Sequence, residues 1–448
     1  MTKQRLLKRL FLFVDHRTRY FLVFINNTIR SCKEKIINCS RLFLTTISRI
    51  VNWFLPGCRP IQLFYSSLHS MWMIFFCIIW LTHINTFDGF DFMKDAGGYR
   101  DYIVQDIFHC KKETDISKKY LLINTSRNNQ LLFEDNDKQI NSVIVDRKQL
   151  CRVLNILDSN ESKIKYIICD IFLESPDGIY DSSLSRVIDR LTKKKKIIIP
   201  YFLGDENEQE MSFPFIKSAC GLSQYKSSFL NSQFLKFSYI VKDTLKQVPL
   251  IVYEQLSGNL MVKHRVLTIP YYFIGNNWCL NTIIPEFRYT SSDLIQDETY
   301  YDLGFFTKDF ISTDQVVVIG DFTGVKDKHH SIMNQVPGVL ILMNAIESLY
   351  HRDNIIHLSY LAFLFLFFLI ISYHTLYKKR IEEYFAYRKK SNILVVILRN
   401  WINDLLILIM SLISMLYFHH YIHLFILLGY FSFIEVLLWL RHKLWGLR

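Results

Sequence analysis

Glycine and proline are scarce in this chain, at 15 and 9 of 448 residues. No internal repeat and no low-complexity tract is visible, so nothing points to a repeat architecture or a compositionally biased tail. The nine cysteines include no CxxC pair and no Cys/His ligand spacing, so a zinc site is not expected. A phosphate-binding loop, an HExxH helix and a nucleophile–base arrangement are also missing, which argues against an enzyme. There is no cleavable signal peptide to read either. The first 60 residues are too charged for one, and the first long apolar run begins too late.

What is present is apolar bulk. Half of the residues are hydrophobic, with 36 Phe and 25 Tyr. Low Gly beside abundant Ile, Lys, Asn, Phe and Tyr suits an AT-rich bacterial genome. The apolar residues gather in four runs, at 63–84, 355–377, 401–418 and 421–440. Crossing a hydrocarbon core of about 30 Å takes roughly 20 apolar residues in a helix, so four transmembrane helices are expected.

The excess of positive charge sorts with those runs. Lys and Arg outnumber Asp and Glu by 12 to 2 in residues 1–68, by 7 to 2 in 378–400 and by 3 to 0 in 441–448. Residues 85–354 instead hold 31 basic against 35 acidic side chains. Cationic segments stay cytoplasmic. The expected topology has both termini and the loop 378–400 inside, block 85–354 outside, and a tight outer turn at His419-His420. The protein would be a multi-pass inner (plasma) membrane protein, with the block periplasmic where the envelope has two membranes. Because the positive charge follows membrane edges, nucleic acid is not an expected partner. Membrane lipid is. In the basic segment 1–62, stretches such as Arg41 to Phe54 read as amphipathic helices on the anionic inner leaflet. Asp404 and Glu435, inside the last two runs, are expected to pair or snorkel near Arg399 and Arg441.

The outer block reads as α/β. Tyr120 to Asn124 forms a first strand, and Val143 to Val145 leads into a helix from Arg147 to about Leu157. Ile164 to Cys169, an acidic turn, an amphipathic helix and Ile197 to Phe202 compose a βαβ unit, which calls for a parallel sheet. A helix is expected from about Lys242 to Gln255, capped by Asp243-Thr244. Gln315 to Ile319 is a clear strand, Gly324 to Val336 a charged loop, and Pro337-Gly338-Val339 opens a helix through Leu349. Five cysteines lie in this block, so at least one is unpaired, and Cys151 and Cys169 read as buried free thiols.

Carboxylates crowd two strand ends. Asp170, Glu174, Asp177 and Asp181 follow one strand, and Asp321, Thr323 and Asp327 follow another. In open α/β sheets that edge binds ligands. Asp170, Glu174, Asp177 and Asp321 are the candidate ligand or cation site, and a divalent cation is the only cofactor such a set suggests. The bland reading competes with it: Asp181 caps a helix and the other carboxylates solvate a turn. His329 and His330 are adjacent and therefore diverge, which suits no shared metal. The run Lys193 to Lys196 reads as charge at a helix C-terminus in a solvated turn.

Asp170-Ile-Phe-Leu-Glu-Ser-Pro-Asp177 with Asp181, Val316 to Asp321, Thr323 to Lys326, and Pro337-Gly338-Val339 followed by Asn344-Ala345 occur here in a distinctive order. In that order, and with one span before and three after, the chain resembles the second type of CHASE domain over about residues 110–350. That family is an extracellular sensory module associated with cyclases and histidine kinases. The resemblance implies a membrane-anchored sensor. Members of the family continue into an output domain, whereas this sequence stops at Arg448, so output is expected from a partner protein. A homo-oligomer stays open. The alternative is a structural subunit of an envelope complex that docks through the α/β domain. A transporter is disfavoured because the four runs carry few polar groups.

Overall fold

The computed structural model describes residues 55, 59–82, 116–133, 140–173, 179–203, 209–210, 220–224, 237–242, 244–266, 269–283, 288–289, 300–323, 327–331, 334–377, 393–418, 420, 422 and 424–445. The chain divides into two compact units. One comprises residues 71–365 and 406–428, the other residues 1–70, 366–405 and 429–448.

The larger unit is built on a sheet whose strands are nearly all apolar. The strands are β1 (Tyr120–Asn124), β2 (Ile164–Cys169), β3 (Ile197–Leu203), β4 (Gln209–Glu210), β5 (Cys220–Leu222), and then β9 (Tyr300–Asp302) and β10 (Gln315–Gly320). Between them in sequence lies a separate three-stranded antiparallel sheet of β6 (Met261–Val266), β7 (Ile269–Ile274) and β8 (Asn277–Cys279). Six strands of the main sheet run parallel in the order β9-β1-β10-β2-β3-β5, and β4 adds to β3 antiparallel.

Continuous apolar strands are what a sheet covered on both faces requires. Side chains alternate strictly between its two sides. Leu121, Ile123, Val317, Ile319, Ile197 and Ile199 pack on one side, together with helices α2 (Arg147–Ser159) and α3 (Asp181–Lys193). Tyr120, Leu122, Val316, Val318 and Ile198 pack on the other, with α4 (Val248–Ser257) and α5 (Gly338–Tyr350). The domain is thus an α/β core with helices on both faces, as the βαβ pattern implies. Close packing shows at Gly221, where a Cβ would lie 2.8 Å from Ile198 and 2.9 Å from Val248.

Four local expectations are corrected. Lys242 and Thr244 belong to a hairpin turn between Ile240–Val241 and Leu245–Lys246, with Lys242 at φ 45°. The helix therefore begins only at Val248, where Pro249 in the first turn needs no backbone donor. The expected loop 324–336 instead contains an antiparallel hairpin, Lys328–Ser331 with Asn334–Pro337. Asp181 is not the N-cap, which is Tyr180: it is a buried first-turn residue of α3, ion-paired with the buried guanidinium of Arg147, the first residue of α2. The lysine run is partly structural. Lys194 bonds Asp158 at 3.0 Å, and the Lys196 ammonium donates to the Ile164 carbonyl at 2.7 Å.

Cys77, Cys151, Cys169 and Cys279 are buried free thiols, and Cys220 is half-buried. Burial pushes the Cys169 and Cys279 thiols up to about 12, out of the reactive range.

Outside the α/β core stand α1 (Pro60–Thr82), α6 (Leu358–Leu376), α7 (Ile393–Phe418) and α8 (Leu424–Trp445). Two of these contain stretches long and apolar enough to cross a membrane, Pro60–Ile78 and Leu358–Leu376. In α7 and α8 the apolar stretches are shorter, Ile402–Ser414 and Ile426–Leu438, so four full spans are not established. These helices also carry more polar contacts than their composition suggests. In the smaller unit the His69 ring lies 2.7 Å from the Ser372 hydroxyl and 3.0 Å from that of Tyr430. Asn403 donates to Thr375 at 3.2 Å and to Glu435 at 3.3 Å, so one amide links the three helices α6, α7 and α8.

Candidate functional site at the carboxyl edge of the sheet

The parallel strands β1, β10 and β2 end side by side, with Asn124 level with Gly320 and Cys169 level with Ile319. The residues just past these ends therefore share one edge. Asp170 follows β2, and its backbone N–H donates to the Ile319 carbonyl at 2.8 Å. Asp321 follows β10 directly. A Cβ on Gly320 would meet Val339 at 2.9 Å and the Asp170 Cβ at 3.5 Å, so Asp170 stands directly beside the N-terminus of α5.

Asp327 approaches from the turn before the Lys328–Ser331 strand. A Cβ on Gly338 would lie 2.6 Å from the Asp327 Oδ2, which places this carboxylate over the first residue of α5. The backbone N–H of Gly338 donates to the Asp327 carbonyl at 2.9 Å, and the His329 Nε2 lies 3.0 Å from Oδ1. Burial, reinforced by the negative charge of Asp327, raises the Asp170 carboxyl to about 8. At neutral pH Asp170 therefore keeps its proton and presents a donor as well as acceptors.

Beside this pair lies a set of hydroxyls and amides. Asn124, almost fully buried at the end of β1, donates through Nδ2 to Ser126 at 2.8 Å and to Thr323 at 3.1 Å. The same group reaches Asp302 at 3.4 Å. Ser126 and Thr323 share a hydrogen bond of 2.7 Å. The Asn124 Oδ1 accepts from the backbone N–H groups of Ser126 (3.3 Å) and Phe322 (3.2 Å). One buried amide thus fixes the loop after β1, the loop after β10 and the end of β9.

Of the residues expected here, the structure brings Asp170 and Asp321 to adjacent strand ends, with Thr323 and Asp327, also expected, at the same edge. Glu174 and Asp177 lie outside the described residues. Asp181 is withdrawn into its pair with Arg147. Among the described residues no group of three or more His, Cys, Asp or Glu side chains is arranged to hold a metal ion. Sequence reasoning missed Asn124, Ser126 and Asp302. The usable signal was a polar Asn-Thr-Ser immediately after an apolar strand, a composition that fits the exposed edge of a parallel sheet.

Comparison with known protein families, with curated proteins and with solved structures returned no match for this chain.

Proposed function

We propose that the protein is a membrane-anchored sensor of the CHASE type, in which the α/β domain lies outside the cytoplasm and reads a signal at the carboxyl edge of its sheet. On this reading the anchor is the set α1, α6, α7 and α8, and both termini are cytoplasmic. Output passes to a partner protein associated with the spans. The observation that carries the proposal is the path from Asp170 to α6. Helix α5 starts against Asp170 and Asp327 and is buried along almost its whole length. Only residues 351–357 separate it from α6, and that link is bonded nearly throughout. His351, Arg352 and Asp353 donate their backbone N–H groups to Glu347, Leu349 and Ser348. The Asp353 carboxylate accepts from Arg288 at 2.8 Å, and the Asn354 carbonyl accepts from Leu280 at 2.7 Å. Ile355 bridges Cys279, and the Ile356 N–H donates to the Trp278 carbonyl at 3.0 Å. A link without slack passes on a rigid-body shift where a loose one would absorb it.

The test is hydrogen exchange on the full chain in lipid nanodiscs, comparing wild type with Asp170→Asn. Altered protection through residues 351–365 supports the relay. Differences confined to the sheet edge and the Lys328–Pro337 hairpin overturn it. Reporter fusions test the placement independently. A reporter after Lys195 should be active only outside the cytoplasm and one after Lys390 only inside, and the reverse at either position refutes the topology.

A further inference from the structure

The three-stranded sheet β6-β7-β8 has two unlike faces. Met261, Tyr272, Ile274 and Cys279 are buried in the domain core. Residues directly opposite one another in antiparallel strands share a face. The register pairs Val262 with Phe273 and Phe273 with Trp278, so these three form a row across the sheet on the other side. His264 and Tyr271 make the next row, their rings stacked at 5.4 Å. Val262 is 46% exposed, and the neighbouring Leu260 is 58% exposed. An apolar and aromatic face of this kind marks a surface that meets something other than water.

Its position identifies the occupant. The carbonyl of Trp278 accepts from Ile356, two residues before Leu358, the 81% exposed first residue of α6. Two residues of chain reach at most about 7 Å, and a headgroup layer is itself roughly 5–8 Å deep. If Leu358 begins a membrane span, β8 lies within the headgroup layer. Aromatic rings already stand at the same level. Tyr360, in the first turn of α6, packs on Phe418 at 4.9 Å, and the adjacent Tyr417 is 75% exposed. Rings with one polar edge favour that depth.

We infer that the Val262–Phe273–Trp278 face rests on the bilayer, with its rings in the headgroup–acyl boundary, and so fixes the attitude of the α/β domain against lipid. The inference depends on the membrane reading of the proposed function, and the experiment separates the two. Full-length protein is reconstituted in phosphatidylcholine vesicles brominated either near the ester groups or at mid-chain. Emission from Trp278 is taken as wild type minus Trp278→Phe, and emission from Trp72 of α1 as wild type minus Trp72→Phe. The expected result is loss of most of the Trp278 emission with bromine near the esters and much less with bromine at mid-chain or with aqueous iodide. Quenching of Trp278 by iodide alone, with Trp72 quenched by bromolipid, overturns the face while leaving the anchor standing. Neither residue responding to bromolipid overturns both. Shielding of Trp278 from both quenchers, with twice the monomer mass in detergent, assigns the face to a second copy instead and overturns the lipid contact. Should Trp278→Phe misfold on its own, Tyr271→Trp measured against wild type reports the same face.

Discussion

Tyr120 donates its hydroxyl proton to the carboxylate of Glu347, joining the first residue of β1 to the last turn of α5 across the domain core. Lys119 adds a second bond to the same oxygen at 2.6 Å and lies 4.3 Å from the Tyr350 ring. Burial, with Glu347 next to it, holds the Tyr120 phenol well above its ordinary range, so it remains a donor at every accessible pH. A charge this deeply buried is tolerated only with partners, and here they tie α5 to the sheet.

Replacing one member of that contact should therefore cost more than replacing both. Glu347→Ala leaves a buried hydroxyl without its acceptor and is expected to destabilise by about 3 kcal/mol. Tyr120→Phe combined with Glu347→Leu should lose less. Denaturant midpoints of the two variants in detergent decide it, and equal losses would mean that the contact is incidental.

Asp170 predicts a pH dependence with a definite sign. Its folded value near 8 lies above the unfolded value of about 4. The folded state thus binds this proton more tightly. The stability it contributes is complete below about pH 4 and is lost as pH rises through 8. Wild type should therefore lose melting temperature relative to Asp170→Asn between those limits. Parallel curves for the two proteins would contradict the raised value.

Two glycines near this carboxyl should behave oppositely. Gly320→Ala drives a methyl group into Val339 in packed core, at an expected cost of about 1–3 kcal/mol. Gly338→Ala meets only the end of the Asp327 side chain, which can swing away. It should cost little but weaken the repulsion on Asp170 and shift its titration downward. Carboxyl NMR or the melting profile against pH reads both effects.

A protonated Asp170 offers a divalent cation no charge, so millimolar calcium or magnesium should leave the melting temperature at pH 7 unchanged. A rise abolished by Asp170→Asn or Asp321→Asn would restore the cation reading.

The Arg147–Asp181 pair joins the first turns of α2 and α3 in a buried setting. Asp181→Ala removes a carboxylate from beside a buried guanidinium and should cost about 3–5 kcal/mol, with Arg147→Met/Asp181→Leu closer to wild type. Thermal melts of the three proteins compare them.

The parts of the fold that could be read in advance are those where one physical demand dominates. Strands β1, β2, β3 and β10 are covered on both faces, so their apolar runs stand out, and the stripe Val153, Leu154, Leu157 declares α2. The hairpin Lys328–Pro337 was missed because a polar strand such as Lys-His-His-Ser carries no alternation to detect. Asp243-Thr244 resembles a cap, yet the same residue types serve a tight turn, and here the turn won. At the site, Asp170 and Asp321 were accessible because each directly follows a strand. Asn124 and Asp302 required knowledge that β9 lies beside β1, a pairing between segments far apart in sequence.

That strand order also governs how the protein comes into being. β10, near the end of the domain, inserts between β1 and β2, which are made about 195 and about 150 residues before it. Until residue 320 is available, the two oldest strands have no neighbour to share and the sheet has a gap at its centre. A chain emerging from the ribosome cannot close this domain piece by piece. It must be held extended or loosely collapsed until nearly all of it has been made. If the domain is exported, it therefore crosses the membrane before it folds, and assembly waits for β10 to arrive on the far side.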